Sequence, residues 1–402
     1  MTTPDPMVSA LDAALDPPAT NATAHQRLGA ARWATRALFA TLGLLAGVWG
    51  AHIPSIKSHY EIDEAVLSAV LFSAAVGAVS SLFVAGRFIG HLGARRASLI
   101  TGLVLCAALG CALLWPNVYV LMAANLLFGM SMSVFDVTIN AEGTALERDG
   151  GKPVMGNLHG CFSLGAMAGA GMAAALLRAS VDPAVQLIGC GLLSAAVMAV
   201  ANRSMLDARP APPAPGEEQR HFTWPHGLLL LIGLLIFAGM TAEGVMYDWC
   251  VLYLKQEVGL SQDVAAMGYA VFAGAMAAAR FGGDYLRAHV SEQALLRHCS
   301  TLTAVAMATV LLTGSPWVSI VGYALVGIGL APIVPILFTA ASRVPGTSSA
   351  ASIAAVSSIG YSGFLVGPPL IGVIAHNQSL TAAMFVVVVA AGALAIGARK
   401  VD

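Results

Sequence analysis

The chain has 402 residues, of which 57% are hydrophobic and only 10% charged, with a mean hydropathy of +0.78. Soluble domains carry roughly 25% charged residues, so a water-soluble globule is excluded and a polytopic membrane protein is implied. The net charge of -1 offers no basic field for nucleic acid.

The first 26 residues are Pro-rich, with no basic n-region and no long apolar run, which predicts a disordered cytoplasmic tail over 1–26 rather than a signal peptide. A hydrocarbon core of about 30 Å takes roughly 20 helical residues. Apolar runs of that order recur near 33–56, 64–86, 97–114, 118–141, 154–177 and 184–202, and again near 227–253, 264–282, 296–313, 317–340, 348–374 and 380–398. The pattern predicts an all-α integral membrane protein of twelve transmembrane helices; period-2 alternation is absent, which excludes a barrel. The 42 glycines suit helices that pack backbone to backbone in lipid.

Between the sixth and seventh spans lies "DARPAPPAPGEEQRHFTWP", Pro-rich and charged, as in a semi-rigid linker. It divides the chain into an N-terminal six-helix bundle over 27–203, a cytoplasmic linker over 204–225 and a C-terminal six-helix bundle over 226–402. The halves echo each other: "VAGRFIGHLGARR" closes span two and "AAARFGGDYLR" closes span eight. Such a repeat predicts two similar bundles related by a pseudo-twofold axis. With both termini in the cytoplasm, all but three of the 20 Lys and Arg residues (Lys57, Arg178, Lys255) fall on the inner side, so the expected topology is N-in, C-in.

An ionisable side chain inside a span costs roughly 2.5 to 3.5 kcal/mol on insertion scales and usually faces a cavity or a partner. Asp136 and Asn140, four apart on span four, share a helix face, and an acid there can bind and release a proton as a cavity alternates between wet and dry. On span seven, "TAEGVMYDWCVLY" puts Glu243 and Tyr247 on one face while Asp248 points elsewhere. Asp136 and Glu243 are the expected proton-coupling acids. Trp49, His52, Asn157, His159 and Tyr361 complete the polar and aromatic set expected at a substrate site. Glu142, six residues beyond Asp136 and on another face, fits an inner-surface role. Pro332, Pro335, Pro368 and Pro369 predict kinks in spans ten and eleven. The six Cys lack CxxC spacing and fit packing rather than a disulfide or metal. Neither a metal site nor a cofactor is expected, and no P-loop pattern for ATP is present.

These residues carry a family resemblance over about 30–400. The chain resembles a major facilitator superfamily transporter, whose loop between spans two and three has a Gly-x-x-x-Asp-basic-x-Gly-basic-basic signature; here it reads Gly86, Gly90, His91, Gly93, Arg95 and Arg96, with Gly90 where the family has Asp. The resemblance implies a cytoplasmic latch drawn from Gly86, Arg87, Gly93, Arg95, Arg96 and Glu142, with Arg280, Asp284 and Arg287 as its second-half counterpart. The chain is also similar to the fucose permease-like branch, through Asp136 and Asn140, through Ile53, Pro54 and Lys57, and through Asn157, Leu158 and Phe162. It departs from that branch at Gly50, where the span-one acid falls, with Trp49 and His52 on one face beside it. Together these imply a secondary active transporter, not an enzyme, in a bacterial cytoplasmic membrane, working as a monomer with lipid, protons and a small polar solute such as a sugar as its partners. Import by symport, efflux by antiport and a non-transporting sensor on the same fold remain open at this point.

Overall fold

In a computed structural model the described residues are 18–206, 226–345 and 349–401, and all their regular structure is helical. Six helices form the first half: α1 (Pro18–His59), α2 (Glu64–Leu92), α3 (Ala94–Gly110), α4 (Val118–Gly150), α5 (Met155–Arg178) and α6 (Pro183–Asn202). The second half holds α7 (Gly227–Gln256), α8 (Gln262–His289), α9 (Glu292–Thr313), α10 (Pro316–Leu330), α11 (Ile333–Ser342), α12 (Ser349–Asn377) and α13 (Leu380–Gly397). Eleven segments are long and apolar enough to cross a membrane, with α10 and α11 counted as one broken span. The remaining one of the twelve expected spans is α3, whose 17 residues reach only about 26 Å.

The differences from the sequence reading have physical causes. Helix α1 begins at Pro18, inside the segment expected to be a disordered tail, because proline is favoured at a first helical position and an Ala-rich stretch follows. Span ten breaks between Leu330 and Ile333, where Pro332 has no N–H to continue the ladder, whereas α12 runs on through Pro368 and Pro369. The linker stretch 207–225 lies outside the described residues.

Helix ends follow short polar side chains at the turns. Asp63 accepts from Val66 N at 2.8 Å, Asn117 from Tyr119 N and Val120 N, and Asp182, before Pro183, from Ala184 N. Gly93 joins α2 directly to α3 with φ 79°, a conformation that a side chain resists.

Packing repeats between the halves. In the first, α1 packs on α5 and α6, α2 on α4, and α3 on α4 and α6; in the second, α7 packs on α12 and α13, α8 on α10, and α9 on α10 and α13. Among the described residues the halves are joined chiefly through α5 with α8, α2 with α12, and α1 with both α7 and α8. Glycines set the closest approaches, since a Cβ at Gly43 or Gly47 would overlap the carbonyls of Phe162 or Ala166, and one at Gly129 that of Ala74.

Candidate functional site

Where α5, α7 and α8 meet, a buried charged network crosses between the halves. Glu243, 9% exposed, pairs with Arg280 Nη2 at 3.0 Å and accepts from Tyr247 Oη at 2.9 Å. Arg280 Nη1 donates to Ser163 Oγ of α5 at 2.7 Å, so one guanidinium ties an acid of one half to a hydroxyl of the other. The i, i+4 spacing of Glu243 and Tyr247 sets one face of this network. Arg280, grouped by sequence with the latch, has its charged head here instead.

Around the network stands an aromatic wall. Tyr247 lies 5.8 Å from Phe272 and 6.0 Å from Tyr269, with Phe162 of α5 at 6.5 Å. A Cβ at Gly50 would come within 2.6 Å of the Tyr269 ring, so this ring occupies the space where a side chain on residue 50 would stand. Tyr269 Oη is buried with no hydrogen-bond partner among the described residues. No sequence pattern singles out Ser163, Tyr269 or Phe272, although the i, i+3 spacing of the two rings on α8 is a signal that an aromatic search could find.

Asp136 is half-buried on α4, and Asn140 Nδ2 donates to its Oδ1 at 3.0 Å and to its backbone carbonyl at 2.9 Å. Tyr361 of α12, 36% exposed, lies within electrostatic reach of Asp136, which brings residues from the two halves toward one another. His159 packs edge-on against Phe39 with ring centroids 5.4 Å apart and lies within electrostatic reach of Arg280. Asn157 accepts from Arg36 Nε at 2.9 Å on an exposed face.

Two expected members turn elsewhere. Trp49 stacks on Phe128 of α4 at 5.2 Å. His52 is fully buried in a relay: Lys255 donates to Gln262 (3.0 Å), Gln262 to Ser55 Oγ (2.7 Å), Ser55 to His52 Nδ1 (3.3 Å), and His52 Nε2 to Gln186 Oε1 (3.1 Å). Gln186 Nε2 in turn donates to Val181 O, which orients its amide so that Oε1 accepts a hydrogen from His52 Nε2. These bonds engage both ring nitrogens and link α1 to α6.

That relay belongs to the end of the molecule with the α1–α2 turn, where the halves make several further contacts. Lys57 pairs with Glu64 at 2.7 Å and, with the Gln256 amide turned to satisfy both its ends, donates to Gln256 Oε1 at 2.6 Å; His376 approaches Asp63 at 3.6 Å, and Gly372 of α12 packs directly on Ser68 of α2. At the opposite end the halves touch where Phe281, still 45% exposed, covers Gly160. The first-half residues expected to form a latch lie at that end. Gly86 and Gly90 have open space around them, and Arg87 and Arg96 are exposed. Arg95 donates to Met205 O while buried Glu142 accepts from the adjacent Leu206 N, so the two charges converge on the end of α6. The side chains of Asp284 and Arg287 lie outside the described residues. No group of three metal-ligating side chains occurs among the described residues.

Comparison with known proteins agrees with this architecture. The profile of the Major Facilitator Superfamily matches residues 36–368. An uncharacterised MFS-type transporter of Yersinia pestis is 32% identical over 367 residues, covering 91% of this chain and 94% of its own. The membrane protein MosC of Rhizobium meliloti is 32% identical over 355 residues, covering 86% and 84%. Among solved structures, an inward-facing bacterial homolog of the human lysosomal transporter Spinster superposes with TM-score 0.70 at 14% identity, covering 93% of this chain and 98% of its own. FucP in the outward conformation superposes with TM-score 0.64 at 15% identity, covering 92% and 98%.

Proposed function

The chain belongs to the Major Facilitator Superfamily, and we propose that it is a proton-coupled secondary transporter moving a small polar solute by alternating access. The observation that carries this reading is the Glu243–Arg280–Ser163 network, a buried charged contact between the two halves of a membrane protein. Charges inside a span are costly unless paired; here the ion pair lies in the second half, and the Arg280–Ser163 hydrogen bond carries it across the surface along which the halves must move. The repeated helix pairing supports two six-helix bundles over 27–203 and 226–402 that rock about this surface. With both termini inside, the end with the α1–α2 turn is the outer end, in a bacterial inner membrane, and the protein works as a monomer.

In this mechanism Asp136 exchanges the proton, and Asn140 holds its carboxylate from the same face. Tyr247, His159, Asn157 and Tyr361 offer the donors and acceptors that a hydroxylated solute needs, with Glu243 and Arg280 as the charged floor. The latch of Arg87, Arg95, Arg96 and Glu142 steadies the opposite, inner end. FucP is a fucose:proton symporter, which makes sugars the first class to try, and the nucleoside transporter NupG, which superposes with TM-score 0.66 at 14% identity, makes nucleosides the second.

The test is uptake into proteoliposomes under an imposed inward proton gradient, with sugars, nucleosides and organic acids as the panel. The expected outcome is accumulation of one class by the wild type and its loss in Asp136→Asn. Full pH-dependent uptake by Asp136→Asn sinks the assignment of the proton to that residue, and accumulation only under the opposite gradient replaces symport with antiport.

A further inference from the structure

A second acid of α7 stands apart from the network. Asp248 lines a small recess between α7 and α12, together with Thr241, Gly244, Trp249, Gly363 and Pro368. Three observations converge on this recess. The Asp248 carboxylate receives no hydrogen bond from any described residue, and no Lys, Arg or His is among the residues lining the recess. Trp249, its fully buried neighbour, has an indole Nε1 without a partner. Across the gap, Pro368 and Pro369 lie inside α12 and lack the N–H groups that would bond the carbonyls of Phe364 and Leu365, and Phe364 also lines the recess.

A half-buried, acceptor-only carboxylate with no protein donor, facing a recess lined by a threonine and by a helix turn with surplus carbonyls, suits a cation. A cation balances the carboxylate charge and takes neighbouring oxygens as further ligands. Thr241 Oγ1 spends its hydrogen on Phe237 O at 2.8 Å, leaving its lone pairs toward other partners. Glycines make the room: side chains at Gly244 and Gly363 would run into Phe364 and Thr241. The other titratable groups within electrostatic reach are Cys250 on α7 and Tyr269 on α8, neither of which supplies a positive charge, while Glu243 is already engaged by Arg280.

We propose that Asp248 and the oxygens around it form a binding site for a monovalent cation, a sodium ion or a proton, separate from the Asp136 pair. This rests on the reading of the chain as a coupled carrier, and deepens it by adding a second ion position. Counted along the helices, Asp248 lies about 12 Å from the outer end, Glu243 about 20 Å and Asp136 about 27 Å, so ion positions are staggered along the path.

The experiment needs no solute, so its failure leaves the transport reading standing. Full-length purified protein is melted in detergent, with sodium chloride against choline chloride at equal ionic strength, at an acid and an alkaline pH. If sodium is the occupant, the wild type gains about 2 °C or more in sodium at alkaline pH. If a proton is, the gain comes on acidification and is indifferent to sodium. In either case Gly392→Ala, on α13 with open space around it, keeps the gain, and Asp248→Asn loses the sodium gain or cuts the acid gain. A wild type that responds to neither ion, or an Asp248→Asn variant that responds as the wild type does, overturns the proposal. Should Asp248→Asn not fold, Asp248→Glu decides: a several-fold shift in the midpoint of the ion response supports the site, and an identical midpoint overturns it.

Discussion

The two halves solve the same packing problem with different materials. In the first half, glycines on both partners bring backbones together: side chains at Gly43, Gly47, Gly165 and Gly169 would overlap carbonyls across the α1–α5 crossing, and those at Gly77 and Gly129 would do so across α2–α4. The equivalent α7–α12 crossing is filled mostly by side chains, with Ile359 against Gly233, Phe364 against Gly244 and Ile236 against Gly360. Backbone contacts cannot adjust, whereas rotamers can. The contrast is confined to this crossing, since Gly327 of α10 packs on the Phe272 carbonyl of α8 as glycines do in the first half; the recess with its solitary acid falls at the adjustable crossing.

The largest expected effect tests the joint between the halves. Arg280→Ala strands Glu243 beside a buried tyrosine and should lower stability by about 3 to 5 kcal/mol, measured by denaturant unfolding in detergent. A cost near zero would mean that water reaches the network freely. Next comes Gly129→Ala, whose Cβ meets the Ala74 carbonyl: about 1 to 3 kcal/mol lost, against clearly less for Gly244→Ala, where the Phe364 ring can rotate away. Equal losses would erase the contrast between the crossings. The smallest effect is at Gly392, which has open space around it in α13; Gly392→Ala should be neutral or gain up to about 1 kcal/mol through helix propensity.

Much of the architecture is legible in the sequence because lipid enforces it. Each helix must be apolar for its full length, and the turns announce themselves in Asp63, Asn117 and Asp182. The faces of Asp136 with Asn140 and of Glu243 with Tyr247 follow from spacing alone, and both pairs bond in the structure. Partners between helices do not follow from spacing. Arg280 reads as part of a loop signature because it closes a helix, yet its long side chain reaches inward to Glu243 and Ser163. His52 reads as a site residue because a polar group in a span suggests function, and only Gln186, 134 positions away, shows that its hydrogen bonds are already satisfied. The vacancy at Gly50 is visible as a missing acid, while the ring of Tyr269 that fills it is not.

The hydrogen-bonded relay from Lys255 to Gln186 also has a seam. Lys255 and Gln262 belong to the second half, and Ser55, His52 and Gln186 to the first, so separating the halves cuts the chain at the Gln262 amide, which bonds both Ser55 Oγ and Ala51 O. Each side departs with its remaining links intact, and water can replace what is cut; a single such bond is worth only about 0.5 to 1.5 kcal/mol net. On the proposed mechanism the outer closure therefore works like a perforated edge, torn and rejoined along one line. A solute then needs only a modest preference for one state to decide which side of the membrane the cavity faces.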